Sequence, residues 1–570
     1  MKSSSYHRNK VILFLAGCAL GAACFLWVYG AKILNPVYDA WLFNADMDLK
    51  QHYIGFCHYR TSAWRFPLGL IDTLSHPTSV SVIYTDSIPL FALLFKFFSG
   101  VLPLHFQYFG IFGLMSFMLM GGISSLLIFR LISKDDGKNQ LILSAALSII
   151  YILSFTVLQR MFYHTALGAQ WIIVLAIYIW MCREDMGRLK AFVIYCLMAV
   201  LCVGIHTYYV PMIASLLLGA SLEVCIRDKG RIKGEIVNLA GFCISGILTI
   251  YVLGGFYGVS EAYGWGIGTF TANLNTFINP LYGSIILKPM KLFYDFQYEG
   301  YSYLGIGILA ACICAIIYYG RKIKETGLRT YLQSHTRFTL ILIILVVDSA
   351  LAILPTIAFS DFRILGFNYP GILNKIFGIF RSNGRFIWVP EYLIFTGTLI
   401  GTFRFFGEIF ENKEKGEKLV FKIMLLFLVF QVLDADRTIE DKQGYFLSDQ
   451  VHGNLWAYAP IDVGGGKYSE FVFLYNDNDI IMDTAFYAYL NGMTLNNYYY
   501  ARNIDDEVNA NIEGWKKQLA EGIVRDDVIY ICRKDESEEI FYGNRAGKDD
   551  GREWLTCYEL DEEHVIGVAR

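Results

Sequence analysis

Asp39, Asp46, Asp48, His52, His58 and Arg60 crowd the stretch NPVYDAWLFNADMDLKQHYIGFCHYR (35–60). A carboxylate pair spaced as Asp46-x-Asp48 can share a divalent cation. It can also place one carboxylate as a general base beside a lipid–water boundary, where desolvation raises basicity. A solvated loop with two ordinary aspartates has the same spacing. Further on, Asp86 precedes Pro89 in TDSIPL, the arrangement of a helix N-cap with proline in the first turn, and the same carboxylate could line a cavity.

Basic and imidazole side chains recur farther along. Arg160 and His164 lie in QRMFYHTALGAQW, and His206 lies in GIHTYYVP. Ionisable residues at a membrane boundary tend to face cavities or partners, so these three, from two separate segments, suggest one polar pocket. Glu299 lies in YEGYSYLG, and Arg381 and Arg385 lie in FRSNGRFIWVP. An arginine fork suits a phosphate, and an arginine anchoring a span on lipid headgroups is the alternative. The Gly- and Asn-rich GWGIGTFTANLNTFINP (264–280) could offer backbone N–H groups to anions. Two formal motifs carry no chemistry. GGGK (464–467) lacks P-loop spacing and the following Ser/Thr, and Gly305-x-Gly307 opens an apolar run, where small residues serve helix packing.

The elements that must position these residues are apolar. Of 570 residues, 55% are hydrophobic and 17% charged, with mean hydropathy +0.42, against about 25% charged in soluble domains. Apolar runs near 11–29, 105–130, 140–158, 166–182, 191–210, 212–226, 236–256, 303–320, 338–358, 386–403 and 419–433 predict about eleven spans. The loops 130–140, 183–190, 227–235, 321–337 and 404–418 hold 3, 3, 4, 5 and 4 Lys/Arg. The positive-inside rule puts them in the cytoplasm with the N-terminus. That alternation holds only if 87–102 (SIPLFALLFKFFSGVL) does not cross, so it is expected as an in-plane or re-entrant helix with Lys96 snorkelling.

Charge divides the chain. Residues 1–433 carry 35 Lys+Arg against 23 Asp+Glu, and residues 434–570 carry 13 against 28. The first part is expected as a polytopic membrane domain with 31–104 as its first outer loop, and 434–570 as a small extracytoplasmic α/β domain. In that domain EFVFLY (470–475), VIYICR (528–533) and 564–568 read as strands and 507–522 as a helix. The Tyr- and Asn-rich NNYYYARN (496–503) suits sugar contact or a core. Cys532 and Cys557 could pair. The tail has no basic stripe of the kind that binds nucleic acid.

The acidic first loop, the helix opened by DSIPLFALLFKFF, and the segments NPVYDAW, DMDLKQHY, RMFYHTAL, GIHTYYVPM, NLNTFINP, YEGYSYLG and FRSNGRF together resemble the GT-C class of integral membrane glycosyltransferases. They are also similar to an uncharacterised bacterial family of that class, over nearly the whole chain. Relatives such as protein mannosyltransferases and the lipid A aminoarabinose transferase have an essential Asp and juxtamembrane helices in the first outer loop. The resemblance implies an α-helical polytopic GT-C-like fold in a bacterial plasma membrane. It further implies sugar transfer, inverting, from a polyprenyl-phosphate donor to an envelope glycan, lipid or protein acceptor at the outer face. Asp48 would be the base, with Asp46 second, Arg381 and Arg385 would meet the donor phosphate, and Arg160, His164, His206, Glu299 and Asp86 would line the site. No Lys-Pro-Pro or His-Pro-Pro motif is present, so the donor's identity does not carry over. Metal dependence stays open: a divalent cation, Mg or Mn, would sit on Asp46 and Asp48. A lipid-linked saccharide transporter, favoured by Asp348 inside a predicted span, and a non-catalytic envelope-assembly partner are the alternatives.

Overall fold

The computed structural model describes residues 2–43, 47–133, 138–257, 266–410, 413–451, 453, 455–463, 465–477, 480–500, 505–542 and 554–570. The chain opens with α1 (Lys2–Tyr29), α2 (Met47–Thr61), the strand pair β1 (Leu70–Ile71) and β2 (Val80–Ser81), and α3 (Pro89–Phe97). Then follow α4 (Phe109–Ile132), α5 (Lys138–Ile152), α6 (Phe155–Arg160), α7 (Trp171–Cys182), α8 (Arg188–Ile205), α9 (Tyr209–Arg227) and α10 (Ile232–Val252). After a long loop come α11 (Ile306–Thr326), α12 (Leu328–Ser334), α13 (Thr336–Ile353), the hairpin β3 (Thr356–Phe359) and β4 (Phe362–Gly366), and α14 (Gly371–Ile379). The rest is α15 (Trp388–Ile409), α16 (Lys413–Asp434), α17 (Asp436–Phe446), β5 (Glu470–Phe473), α18 (Ile481–Leu490), β6 (Thr494–Leu495), α19 (Asp505–Ala520), β7 (Val528–Arg533), α20 (Lys534–Tyr542), β8 (Leu555–Glu559) and β9 (His564–Ala569).

Among the described residues nine helices are long and apolar enough to cross a membrane: Arg8–Tyr29, Phe109–Ile132, Thr165–Asp185, Arg188–Ile205, Tyr209–Arg227, Lys229–Val252, Ile306–Thr326, Thr336–Ile353 and Asn383–Ile409. This makes the chain a multi-pass membrane protein and corrects the expected eleven spans. The run 140–158 is not one helix, because Ser154 caps a new one by accepting from the Val157 N–H at 3.4 Å. That leaves α5 at 15 residues, short of the ~20 a bilayer needs. The other, α16, has the length but carries Lys418, Lys422 and Asp434 along with its apolar residues.

The residues gather into two compact units. The first comprises Met1–Tyr38, Tyr108–Gly246 and Tyr263–Asp449 and holds most of the apolar helices. Its α1 and α4 meet backbone to backbone. A Cβ on Gly17 would overlap the Gly121 carbonyl, and one on Gly21 the Phe117 carbonyl, so small residues admit the close approach.

The second unit comprises Asp39–Gln107, Ile247–Ala262 and Gln450–Arg570. Its five-stranded sheet has the order β6-β5-β7-β9-β8, with β5 parallel to β6 and β7, and β9 antiparallel to β7 and β8. Val472, Leu474, Val528 and Tyr530 pack against Trp515 and Leu519 of α19. Cys532 and Cys557 stand opposite Val565 and Gly567 on the shared neighbour β9 and form no disulfide. Tyr498 and Tyr500 are buried, and Asn496 bonds both the Phe473 N–H and carbonyl. Asn496, Tyr498 and Tyr500 therefore belong to the core. The segment 87–102 is helical only over α3, whose nine residues rise about 14 Å, too little to cross. Lys96 does not snorkel: it is buried, with Nζ 4.2 Å from the Tyr59 ring centroid and 4.9 Å from that of Trp64.

Candidate functional site

Within the first unit, α6 ends at Arg160, whose side chain is fully buried. Its Nη2 donates to the carbonyls of Tyr298 (3.2 Å) and Glu299 (3.0 Å) and lies 3.1 Å from Glu299 Oε2. Glu299 sits in the 3₁₀ turn Asp295–Gly300, and Arg385 in the 3₁₀ turn Asn383–Ile387 that leads into α15. Arg385 Nε donates to the same Glu299 Oε2 at 2.7 Å. Two buried guanidiniums thus share one buried carboxylate, which leaves one excess positive charge. Arg160 Nε and Nη1 are buried with no hydrogen-bond acceptor among the described residues, an arrangement that costs stability when nothing fills it.

Aromatic rings complete the walls. The Arg160 guanidinium carbon lies 5.4 Å from the Trp388 ring centroid and 5.9 Å from that of Tyr298, and that of Arg385 lies 4.6 Å from Tyr208. Such faces suit cations. His206 reaches the site through Tyr208, whose N–H donates to His206 Nδ1 at 3.2 Å. Tyr208 Oη in turn accepts from the Ser382 N–H at 3.0 Å. Burial pushes the Tyr208 hydroxyl up, and the Arg385 charge works against it. Burial likewise opposes charge on Glu299, yet Arg160 and Arg385 hold its carboxyl well below the usual range, with a smaller contribution from His164. Arg381, half-buried, places its guanidinium 5.6 Å from the Phe270 ring centroid, and Gly384 N–H donates to the Phe270 carbonyl at 2.9 Å.

The structure therefore brings Arg160, His164, His206, Glu299, Arg381 and Arg385 into neighbouring turns of one unit. The Asn-rich segment plays a different part from the expected anion contact. Asn273 Oδ1 accepts from the N–H of Asn275, and Asn279 Oδ1 accepts from those of Leu281 and Met290, so these side chains hold turns. A deeper row lies one turn along. Glu391 Oε2 accepts from Thr156 Oγ1 (2.6 Å) and Ser302 Oγ (2.5 Å). Tyr208, Trp388, Glu391, Thr156 and Ser302 escaped the sequence reading. Thr156 precedes Arg160 by four residues on α6, one face of a helix, and Glu391 follows Trp388 by three on α15.

Asp48 and Asp86 belong to the second unit. Asp48 is half-buried in the first turn of α2, where a carboxylate complements the helix dipole, and Lys50 two residues on pairs with Asp483 at 3.2 Å. Asp46 lies outside the described residues. Asp86 does not cap α3. It ends the 3₁₀ turn Val82–Thr85 with φ +51°, while Ile88, φ +52°, stands at the N-cap with Pro89 next. The Arg160–Glu299–Arg385 cluster, with its excess positive charge, suits an anion and not a metal ion.

Residues 18–436 match the family model described as Domain of unknown function (DUF6311), and residues 461–568 match the one described as DUF6311 C-terminal domain. No curated protein matches the chain.

Proposed function

Since the chain belongs to the DUF6311 family, whose description names no chemistry, we propose from its side chains that it is a membrane glycosyltransferase of GT-C type. It would move a sugar from a polyprenyl-phosphate donor to an envelope glycan, lipid or protein on the outer face of a bacterial plasma membrane. The observation that carries this is the buried Arg160–Glu299–Arg385 cluster with two guanidinium nitrogens lacking acceptors. A donor phosphate supplies the missing oxygens and the balancing charge. In the transfer, the bond from sugar C1 to phosphate oxygen breaks, the bond from C1 to the acceptor oxygen forms, and the hydroxyl proton passes to a carboxylate. Asp48 is the proposed proton acceptor, with Asp46 second. Arg160 and Arg385 take the phosphate, Glu299 fixes their guanidiniums, and His164, His206 and Arg381 line the approach.

The test is transfer by the full chain in lipid nanodiscs, with radiolabelled polyprenyl-phosphate sugars and envelope acceptors. Arg160→Gln is expected to cut transfer about 10- to 150-fold, the range for losing a charged hydrogen bond. Asp48→Asn is expected to cut it about 10²- to 10⁴-fold. Transfer unchanged in a folded Arg160→Gln variant would remove the phosphate assignment, and no transfer by wild type with any donor would remove the enzyme. A transporter reading has one observation in its favour: Asp348, buried inside the span Thr336–Ile353, accepts from Ser215 Oγ at 2.8 Å. Lipid-linked saccharide flipping that fails in Asp348→Asn would favour it.

A further inference from the structure

The hairpin β3–β4 begins three residues after the span Thr336–Ile353 ends, and α14 follows it before the next span starts at Asn383. On β4 every residue is exposed, on both faces of the strand: Phe362 is 69% exposed, Ile364 56% and Leu365 52%. A two-stranded hairpin is marginal in water, and an apolar edge strand open to solvent is an aggregation site. Helix α14 repeats the pattern. Ile372 is 75% exposed, and Leu373 and Ile379 also face outward.

Neither element is loose. Ser360 N–H donates to Asn273 Oδ1 (3.0 Å), Asn273 Nδ2 donates to the Ser360 carbonyl (2.9 Å), and Leu274 N–H donates to the Ala358 carbonyl (2.9 Å). Tyr369 stacks on Phe377 with centroids 4.3 Å apart, and Phe380 just past α14 packs edge-on against Tyr208 at 5.4 Å. Polar bonds fix the inner side while large apolar residues project from the other. Arg363, Lys291 and Lys375 stand among them, with Lys291 pairing Asp361 at 3.3 Å.

We propose that β3–β4 and α14 form a platform lying in the membrane interface, with Phe362, Ile364, Leu365 and Ile372 among the lipid chains and the basic side chains at the headgroups. Continuity with the spans on either side sets its depth, and basic residues flanking apolar ones are the pattern of a segment that lies in the plane of an anionic surface. This goes beyond the transfer reading and stands without it.

The test is photo-cross-linking of the full chain in phosphatidylcholine–phosphatidylglycerol nanodiscs, with a diazirine side chain at Ile364 or Ile372. Val346, 63% exposed on α13, is the lipid-facing reference, and Glu562 the reference in the sheet-bearing unit. Lipid adducts at 364 and 372 are expected to match those at 346 and exceed those at 562 about ten-fold, as chain contact requires. Adduct levels equal to those at 562, or cross-linked dimers in place of lipid adducts, would overturn the proposal. Phe362 and Leu365 provide a second pair of positions should either substitution prevent folding.

Discussion

Glu299 neutralises two buried guanidiniums, so its loss leaves both without their counter-charge. Glu299→Gln is expected to destabilise the chain by about 3–5 kcal/mol, the range for breaking a buried pair. The pH dependence has a defined sign. A carboxyl held below its ordinary value contributes stability that is present above about pH 4.3 and is lost as pH falls. Thermal melting in detergent should therefore drop below about pH 4 in wild type, with that segment missing in Glu299→Gln. Identical acid limbs would refute the pairing. His58 acts in a higher window. Its Nε2 donates to the Ala485 carbonyl and its Nδ1 bonds Thr73 Oγ1, both at 2.8 Å, while burial lowers it to about 4. The neutral ring is the folded form, so stability is full above about pH 6.5 and declines from there toward pH 4. Buried His52, lowered by burial to about 3, adds to that slope. Substituting His58 with Gln should flatten the decline, and an unchanged slope between pH 6.5 and 4 would rule His58 out. The six first-unit residues were legible because charged side chains at the ends of apolar runs stand out. Their pairing through Glu299 was not, since more than 80 residues separate Glu299 from Arg385 and nothing local links them.

At the scale of elements, β7 was legible to the residue, since VIYICR is an unbroken apolar run ending in Arg533. Strand β6 was not. It has two residues and exists through partners distant in sequence, Glu470 and Phe471 of β5. The split between α5 and α6 turns on the Ser154 cap inside an otherwise apolar run, a signal hydropathy averages away. Glycine contacts are equally invisible to a hydropathy count, yet they decide how closely α1 and α4 approach. Gly121→Leu would drive a side chain into the Gly17 carbonyl. It is expected to cost about 1–3 kcal/mol or more, read as a lower melting temperature. Gly320→Ala on α11, where an added Cβ meets nothing within 4 Å, should be neutral or stabilise by about 0.5–1 kcal/mol. Equal effects at the two positions would refute a close α1–α4 contact.

For the whole molecule, a linear cut at 433/434 follows the charge of the chain, whereas the second unit draws on three separated stretches. Within it the first long loop and the tail share backbone and side-chain bonds. Leu495 N–H donates to the Thr73 carbonyl (2.9 Å), and His76 N–H donates to the Leu495 carbonyl (2.6 Å). Gln51 Nε2 donates to the Tyr499 carbonyl (3.0 Å), and Tyr498 Oη donates to the Gln51 carbonyl (3.1 Å). Ser75 and Tyr500 hydroxyls lie 2.7 Å apart. Buried Glu470 meets His76 Nδ1 at 2.8 Å and Arg525 Nη1 at 2.9 Å. Removing residues 450–570 would take from Gln51, His58 and Ser75 their partners Tyr499, Ala485 and Tyr500, each lost bond costing about 1–3 kcal/mol. That sum exceeds what a loop can absorb, so the truncated chain should keep its apolar helices but lose ordered structure over 39–107. Limited proteolysis in nanodiscs would show new cleavage between 39 and 107 in the truncated chain, with the full chain protected there. Equal protection would mean that the loop folds without the tail, and that the tail is a separable appendage as its charge alone suggests. Cleavage confined to the loop would make the tail a structural half of one unit. A tail deletion that abolished transfer would then report lost loop structure, and could not by itself assign acceptor binding to the tail.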